Sequence, residues 1–98
     1  MSKNDVAILG AGMHQWGKWG RNFAEYGVAA IKEAMADAGL EWKDVDFVVG
    51  GDTMRNGYPG YVAGATFAKA MGWTGIPIAS CYAACATGAQ AIDIARTR

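Results

Sequence analysis

Two cysteines, Cys81 and Cys85, stand four residues apart in the segment Ser80-Cys81-Tyr82-Ala83-Ala84-Cys85-Ala86-Thr87-Gly88-Ala89-Gln90-Ala91-Ile92. Strand character gives way there to a tight turn and then to helical spacing, which delivers Cys85 to the start of a helix. That position suits a nucleophile, because the unpaired amides and the dipole at a helix N-terminus stabilise thiolate, the reactive form of the side chain. The small neighbours Ala83, Ala84, Ala86 and Gly88 leave room for a substrate and let the helix pack closely on another layer. Gly88 in particular is expected to resist a larger side chain. Free cysteine is also among the most buried residue types, so two thiols serving as small apolar groups is the competing explanation. Residue types and spacing leave both open. A separation of four is poor geometry for a framework disulfide, and two thiols are two ligands short of a structural zinc site, so both are expected to be reduced.

Other residues could do chemistry, and each has a plainer explanation. Gly10-Ala11-Gly12 follows an apolar run in the manner of a dinucleotide fingerprint, but Gln15 stands where the third glycine belongs and no helix starts there, so a turn is expected. His14 is the sole histidine, and among Trp16 and Trp19 it reads as a packed or hydrogen-bonded side chain rather than a base or ligand. The aromatic and glycine-rich run from Trp16 to Gly20 could line a site, with packing against a sheet edge as its expected role.

The elements that must position these residues follow from periodicity. Val6-Ala7-Ile8-Leu9 reads as a short buried strand. Asn22 can cap a helix, with Glu25 answering three residues on; Phe23, Ala30, Ile31, Ala34, Met35 and Ala38 form its apolar face and Lys32, Glu33 and Asp37 its solvated one. Gly39 ends it, and Phe47-Val48-Val49 before Gly50-Gly51 reads as a second strand, so the chain opens as a parallel βαβ unit. After a loop with Asn56-Gly57 and Pro59-Gly60, helical spacing runs from Tyr61 to Met71 and stops at Gly72. Ile76-Pro77-Ile78-Ala79 is a third strand, whose proline belongs at a first residue or on an edge. From about Ala84 a last helix is expected, with Ala86, Ala89, Ala91, Ile92 and Ala95 packing and Asp93, Arg96 and Arg98 outward. The order is β-α-β-α-β-α, an α/β fold. The last helix should return to a fourth strand, so residues 1–98 are expected to be one part of a larger domain.

Composition narrows the partners. The chain has 98 residues, 52% hydrophobic and 18% charged, with nine Lys plus Arg against nine Asp plus Glu. Soluble domains carry roughly 25% charged residues, so much of this surface is expected to face other protein. Without a basic run, nucleic acid and anionic membrane are set aside as partners. Lacking an apolar stretch long enough for a signal peptide or membrane span, the chain is expected to be cytoplasmic.

Cys85-Ala86-Thr87-Gly88 followed by Ala91-Ile92 matches the nucleophile motif of the thiolase superfamily: cysteine, a small residue, Ser or Thr, glycine, then a small-apolar pair. Ile76-Pro77-Ile78 stands where that family's preceding strand begins. Val6-Ala7-Ile8-Leu9-Gly10, the helix with Ala29-Ala30 and Ala34, and Asp46-Phe47-Val48-Val49-Gly50-Gly51 follow its opening strand, helix and strand. The chain resembles in particular the sterol-carrier-type thiolases and the related bacterial lipid-transfer proteins. The run Tyr82-Ala83-Ala84 departs from the asparagine-rich stretch before the cysteine in many of them, and Cys81 matches no catalytic position.

The resemblance implies that residues 1–98 form the N-terminal part of a layered thiolase-like domain, truncated after the nucleophile helix. It implies an acyltransferase of lipid, sterol or fatty acid metabolism, in which Cys85 takes the acyl group from a coenzyme A thioester and its backbone amide contributes to an oxyanion hole. Coenzyme A enters as substrate, with no bound cofactor and no metal, and the expected assembly is a homodimer. The alternatives are a lipid-transfer-type aldolase that cleaves a steroid side-chain acyl-CoA with a small partner subunit, or a non-catalytic thiolase-like binding or scaffold subunit. The histidines and second cysteine of the family's mechanism fall after Arg98, so these residues alone are expected to be inactive.

Overall fold

The computed structural model describes residues 5–17, 20, 22–53 and 61–97. Helix α1 spans Phe23–Ala38 and begins as its sequence dictates: the Asn22 side-chain oxygen accepts the Glu25 N–H at 2.9 Å. That bond satisfies one of the donors every helix start leaves unpaired. Gly39 takes the left-handed conformation at φ 71°, and the next N–H, of Leu40, returns to the Met35 carbonyl at 3.0 Å. Phe23, Ala30, Ile31, Ala34, Met35 and Ala38 are half-buried, and Lys32, Glu33 and Asp37 are exposed, as the periodicity requires.

Strand β1, Val48–Gly51, helix α2, Ala63–Met71, and strand β2, Ile78–Cys81, make a parallel βαβ unit. The strands pair in register from Val48 opposite Ile78 to Gly51 opposite Cys81. Pro77 lies just before β2, where its carbonyl accepts the Val48 N–H at 3.2 Å and its missing donor costs nothing. Glycines expected to follow the strand at 50 and 51 are inside it. Gly50 is one reason: a Cβ there would run into the backbone of Gly64, and one on Gly64 would run into the Ala79 carbonyl, so α2 lies directly on the sheet backbone. Ser80 fixes the contact, its hydroxyl accepting the Gly64 N–H at 3.0 Å.

Consecutive strand residues face opposite sides of a sheet. Gly50 faces α2, while Gly51 faces Thr87 at the start of helix α3, Thr87–Arg96. The two helices therefore cover opposite faces. Helix α1 joins the α2 side through Phe23 and Phe67, whose ring centroids are 4.9 Å apart, and a short 3-10 turn at Trp42–Asp44 ties in through a 2.7 Å bond from the Trp42 indole N–H to the Gly72 carbonyl. The α/β class is as expected, and no helix among the described residues is long and apolar enough to cross a membrane.

The opening strand is not formed. Residues 6–9 have no regular structure and pair with neither strand, and Val6, Ile8 and Leu9 are exposed. The segment instead lies along α1. A Cβ on Gly10 would strike the backbone of Ala34 and Ala38, one on Gly12 that of Ala30 and Ala34, and the Ala11 N–H donates to Asp37 at 3.0 Å. Gly10-Ala11-Gly12 thus serves close backbone approach to a helix, not a turn. The observed order is α-β-α-β-α, and the parallel βαβ unit is the later one, β1-α2-β2. The loop with Asn56-Gly57 and Pro59-Gly60 lies outside the described residues, as do Lys18, Trp19 and Arg98.

Among the described residues the fully buried apolar side chains are Ala63 and Ala68 alone. The accessible surface is 7034 Å², against about 5,400 Å² for a compact monomer of this length. Val6, Ile8, Leu9, Trp73 and Ile92 are among the exposed side chains, and exposed apolar surface favours association. At micromolar concentration the chain should elute from a sizing column as more than a monomer and bind a hydrophobic dye; a monomeric, dye-negative sample would contradict this. Because Gly64 meets backbone rather than a movable side chain, Gly64→Ala should destabilise the fold by about 3 kcal/mol in denaturant melts.

Candidate active site

Strand β2 ends at Cys81, Tyr82 and Ala83 follow, and a single 3-10 turn at Ala84–Ala86 leads into α3. Ala84 has φ 49°, the one non-glycine residue with positive φ among the described residues. A side chain in that region costs ~1–2 kcal/mol, so something must hold it. Thr87, 2% exposed, does so from both sides. Its hydroxyl accepts the Ala83 N–H at 2.9 Å and donates to the Ala84 carbonyl at 2.7 Å, bracketing the left-handed residue. The Ala86 N–H closes the turn on the Ala83 carbonyl at 2.9 Å.

Cys85 sits at the centre of this turn and is exposed. It is two residues ahead of the α-helical start rather than in the first helical turn, and Ala86 at the N-cap supplies no side chain to the helix amides. Those amides point toward the side from which the turn enters, where negative charge is favoured. Cys81 is different. It is half-buried beneath α3, with its thiol 3.7 Å from the Thr87 carbonyl and its sulfur where a Cβ on Gly51 would come within 3.2 Å. Both cysteines are free thiols. One behaves as the small packed residue of the competing explanation and the other does not.

The remaining sequence candidates fall elsewhere. The His14 ring packs edge-on against Tyr26 of α1, centroids 4.7 Å apart at 85°, and its Nδ1 donates to the Gln15 carbonyl at 2.8 Å, as the packed reading has it. Trp16 is 88% exposed, so it does not pack against a sheet edge. No group of three or more His, Cys, Asp or Glu side chains able to hold a metal occurs among the described residues.

Helix α3 corrects two expectations. Its inward residues are Thr87, Ala91 and Ile94, spaced one and two turns apart, whereas Ala86, Ala89, Ile92 and Ala95 are exposed. Alanine at so many positions carries no facial preference, and the residue that sets the buried face is a polar one. A Cβ on Gly88 would meet nothing within 4 Å, so no neighbouring helix among the described residues crowds that glycine. Thr87 is the residue whose structural role the sequence concealed; its spacing two after Cys85 was visible, but not that its hydroxyl turns back on the preceding turn.

The sequence model of the stage V sporulation protein AD (SpoVAD) family matches residues 8–97. No curated protein matches the chain.

The left-handed Ala84 is directly testable. Ala84→Gly removes the steric cost and pays part of it back in unfolded-chain entropy, so it should stabilise by up to about 1 kcal/mol. Ala84→Val should destabilise by about 2 kcal/mol, since a branched side chain is worst placed at positive φ. Urea melts of the two variants check the sign of each.

Proposed function

The chain belongs to the stage V sporulation protein AD family, a thiolase-like family, and on that premise we propose that it handles acyl thioesters through Cys85. The observation that carries the reading is the turn: an exposed cysteine presented by a strained left-handed residue, ahead of helix amides that no side chain caps. Such strain persists where surrounding structure over-determines it, and it gathers at functional sites.

In the proposed step the Cys85 thiolate attacks the carbonyl carbon of an acyl-CoA. A carbon–sulfur bond to Cys85 forms, the bond to the coenzyme A sulfur breaks, and coenzyme A leaves as the thiolate and takes up a proton from solvent. The carbonyl oxygen gains negative charge on the way, and backbone N–H groups of the turn, that of Cys85 included, are the donors nearest to stabilise it. The small side chains at Ala83, Ala84 and Ala86 keep the approach to the sulfur open. The acyl group then passes to an acceptor, with a homodimer as the working assembly.

A second reading has its own support. The family's description names a sporulation stage and no reaction, which favours a thiolase-like subunit that binds rather than turns over. A third, the aldolase reading of the same acyl-CoA chemistry, does not need a cysteine nucleophile.

In the full-length protein, limiting iodoacetamide at neutral pH, followed by peptide mapping, should modify Cys85 ahead of Cys81, and acetyl-CoA added first should protect it by acetylating it. Cys85→Ala should abolish the acetylated species, whereas Cys81→Ala should cost only packing, on the order of 1 kcal/mol. Labelling of Cys81 first, or acetylation surviving in Cys85→Ala, excludes the cysteine mechanism. Fast labelling of Cys85 without any acetylation selects the binding reading.

A further inference from the structure

We propose that Thr87 is the positioning residue of this site, and that its hydroxyl, rather than the helix as a whole, holds Cys85 in its presented geometry. The inference rests on the reading of Cys85 as the reactive group. Its basis is a chain of contacts across the sheet. Gly51 of β1 leaves the space that the Thr87 methyl fills, since a Cβ there would collide with that methyl. The methyl thereby fixes the Thr87 side chain, and the hydroxyl is aimed away from the sheet at the turn. There it takes the N–H before Ala84 and gives its proton to the carbonyl of Ala84. The Ala84 carbonyl belongs to the peptide unit whose N–H is that of Cys85. Rotation of Ala84 out of the left-handed region would swing this peptide, so the hydroxyl sets the direction of the Cys85 amide and the point from which its side chain departs.

Three properties make this more than a helix cap. The N-cap residue of α3 is Ala86, and Thr87 reaches backward over it to a turn outside the α-helix. The side chain is almost wholly buried, so its two hydrogen bonds are not shared with solvent. No buried side-chain oxygen or nitrogen among the described residues is left without a partner, and Thr87 meets that condition only through the turn. A buried hydroxyl that accepts from the Ala83 N–H and donates to the Ala84 carbonyl, the peptide groups on either side of the strained turn, is a specific brace.

The test uses the full chain and four variants: Thr87→Ser, which keeps the hydroxyl; Thr87→Val, which keeps the shape; Ala84→Gly; and Thr87→Val with Ala84→Gly. Iodoacetamide alkylation of Cys85 is measured with Cys81 as the internal reference, together with acetylation of Cys85 by acetyl-CoA over a range of concentrations. Thr87→Val should slow Cys85 alkylation about tenfold while Cys81 changes little. It should lower the limiting acetylation rate without raising the acetyl-CoA concentration at half-saturation. Thr87→Ser, which keeps the hydroxyl but loses the methyl seated at Gly51, should fall between the parent and Thr87→Val. Ala84→Gly should restore most of the loss in the double variant, because glycine accepts positive φ without a brace. If Thr87→Val folds only together with Ala84→Gly, the same dependence is read as stability and supports the brace. If the glycine rescues neither reactivity nor folding, or Thr87→Val leaves Cys85 alkylation unchanged, the brace is overturned. Absence of acetylation in the parent would remove the acyl-transfer reading while leaving the alkylation series to decide the role of Thr87.

Discussion

Adjacent glycines on a four-residue strand fix the layer spacing on both sides of the sheet. Gly50 admits the backbone of α2 at Gly64, and Gly51 admits the Thr87 side chain of α3. With neighbouring strand positions facing opposite ways, two bare positions are enough to bring a helix against each face with almost no side chain between. Packing of this kind replaces the large apolar side chains that usually fill a core. Its attraction comes from many close backbone contacts, each small, and it is lost if either surface is lifted by one methyl group. The turn that carries Cys85 inherits its position from this arrangement, because Thr87 is seated on β1 before it reaches the turn.

What could be read in the sequence was what local chemistry decides. Asn22 and Gly39 bound α1 because an Asn side chain and a left-handed glycine act within a few residues. Cys85 could be placed on a turn between strand and helix for the same reason. The strand at residues 6–9 could not be settled, since Val6-Ala7-Ile8-Leu9 has the composition of a buried strand whether or not a partner exists; pairing is a property of two segments. Gly10 and Gly12 looked like a turn because glycine marks turns and close approaches alike. The inward face of α3 was obscured by its alanines, which suit either side, and by the assignment of the buried place to a threonine. Thr87 had the right spacing in the motif, yet only its geometry shows which peptide it holds.

A thiolase-like family membership and an exposed cysteine on a strained turn point toward acyl-thioester chemistry from separate directions. The first rests on residues 8–97 as a whole, the second on seven residues at the end of β2. They also separate the two cysteines, which composition alone treats as equivalent: Cys81 lies under α3 as part of the packing, and Cys85 stands outside it.

The hydrogen bond from Gly64 to Ser80 has a further effect on how the fold is selected. Two four-residue strands, one of them half glycine, have little of their own to choose one alignment over the next. Sliding β2 by one residue would carry Ser80 to the other face and set the sulfur of Cys81 or the methyl of Ala79 against α2. The helix would lose an acceptor and the thiol that now lies under α3 would exchange sides. A single hydroxyl therefore proofreads the alignment of the sheet, and through it the side from which Cys85 is presented.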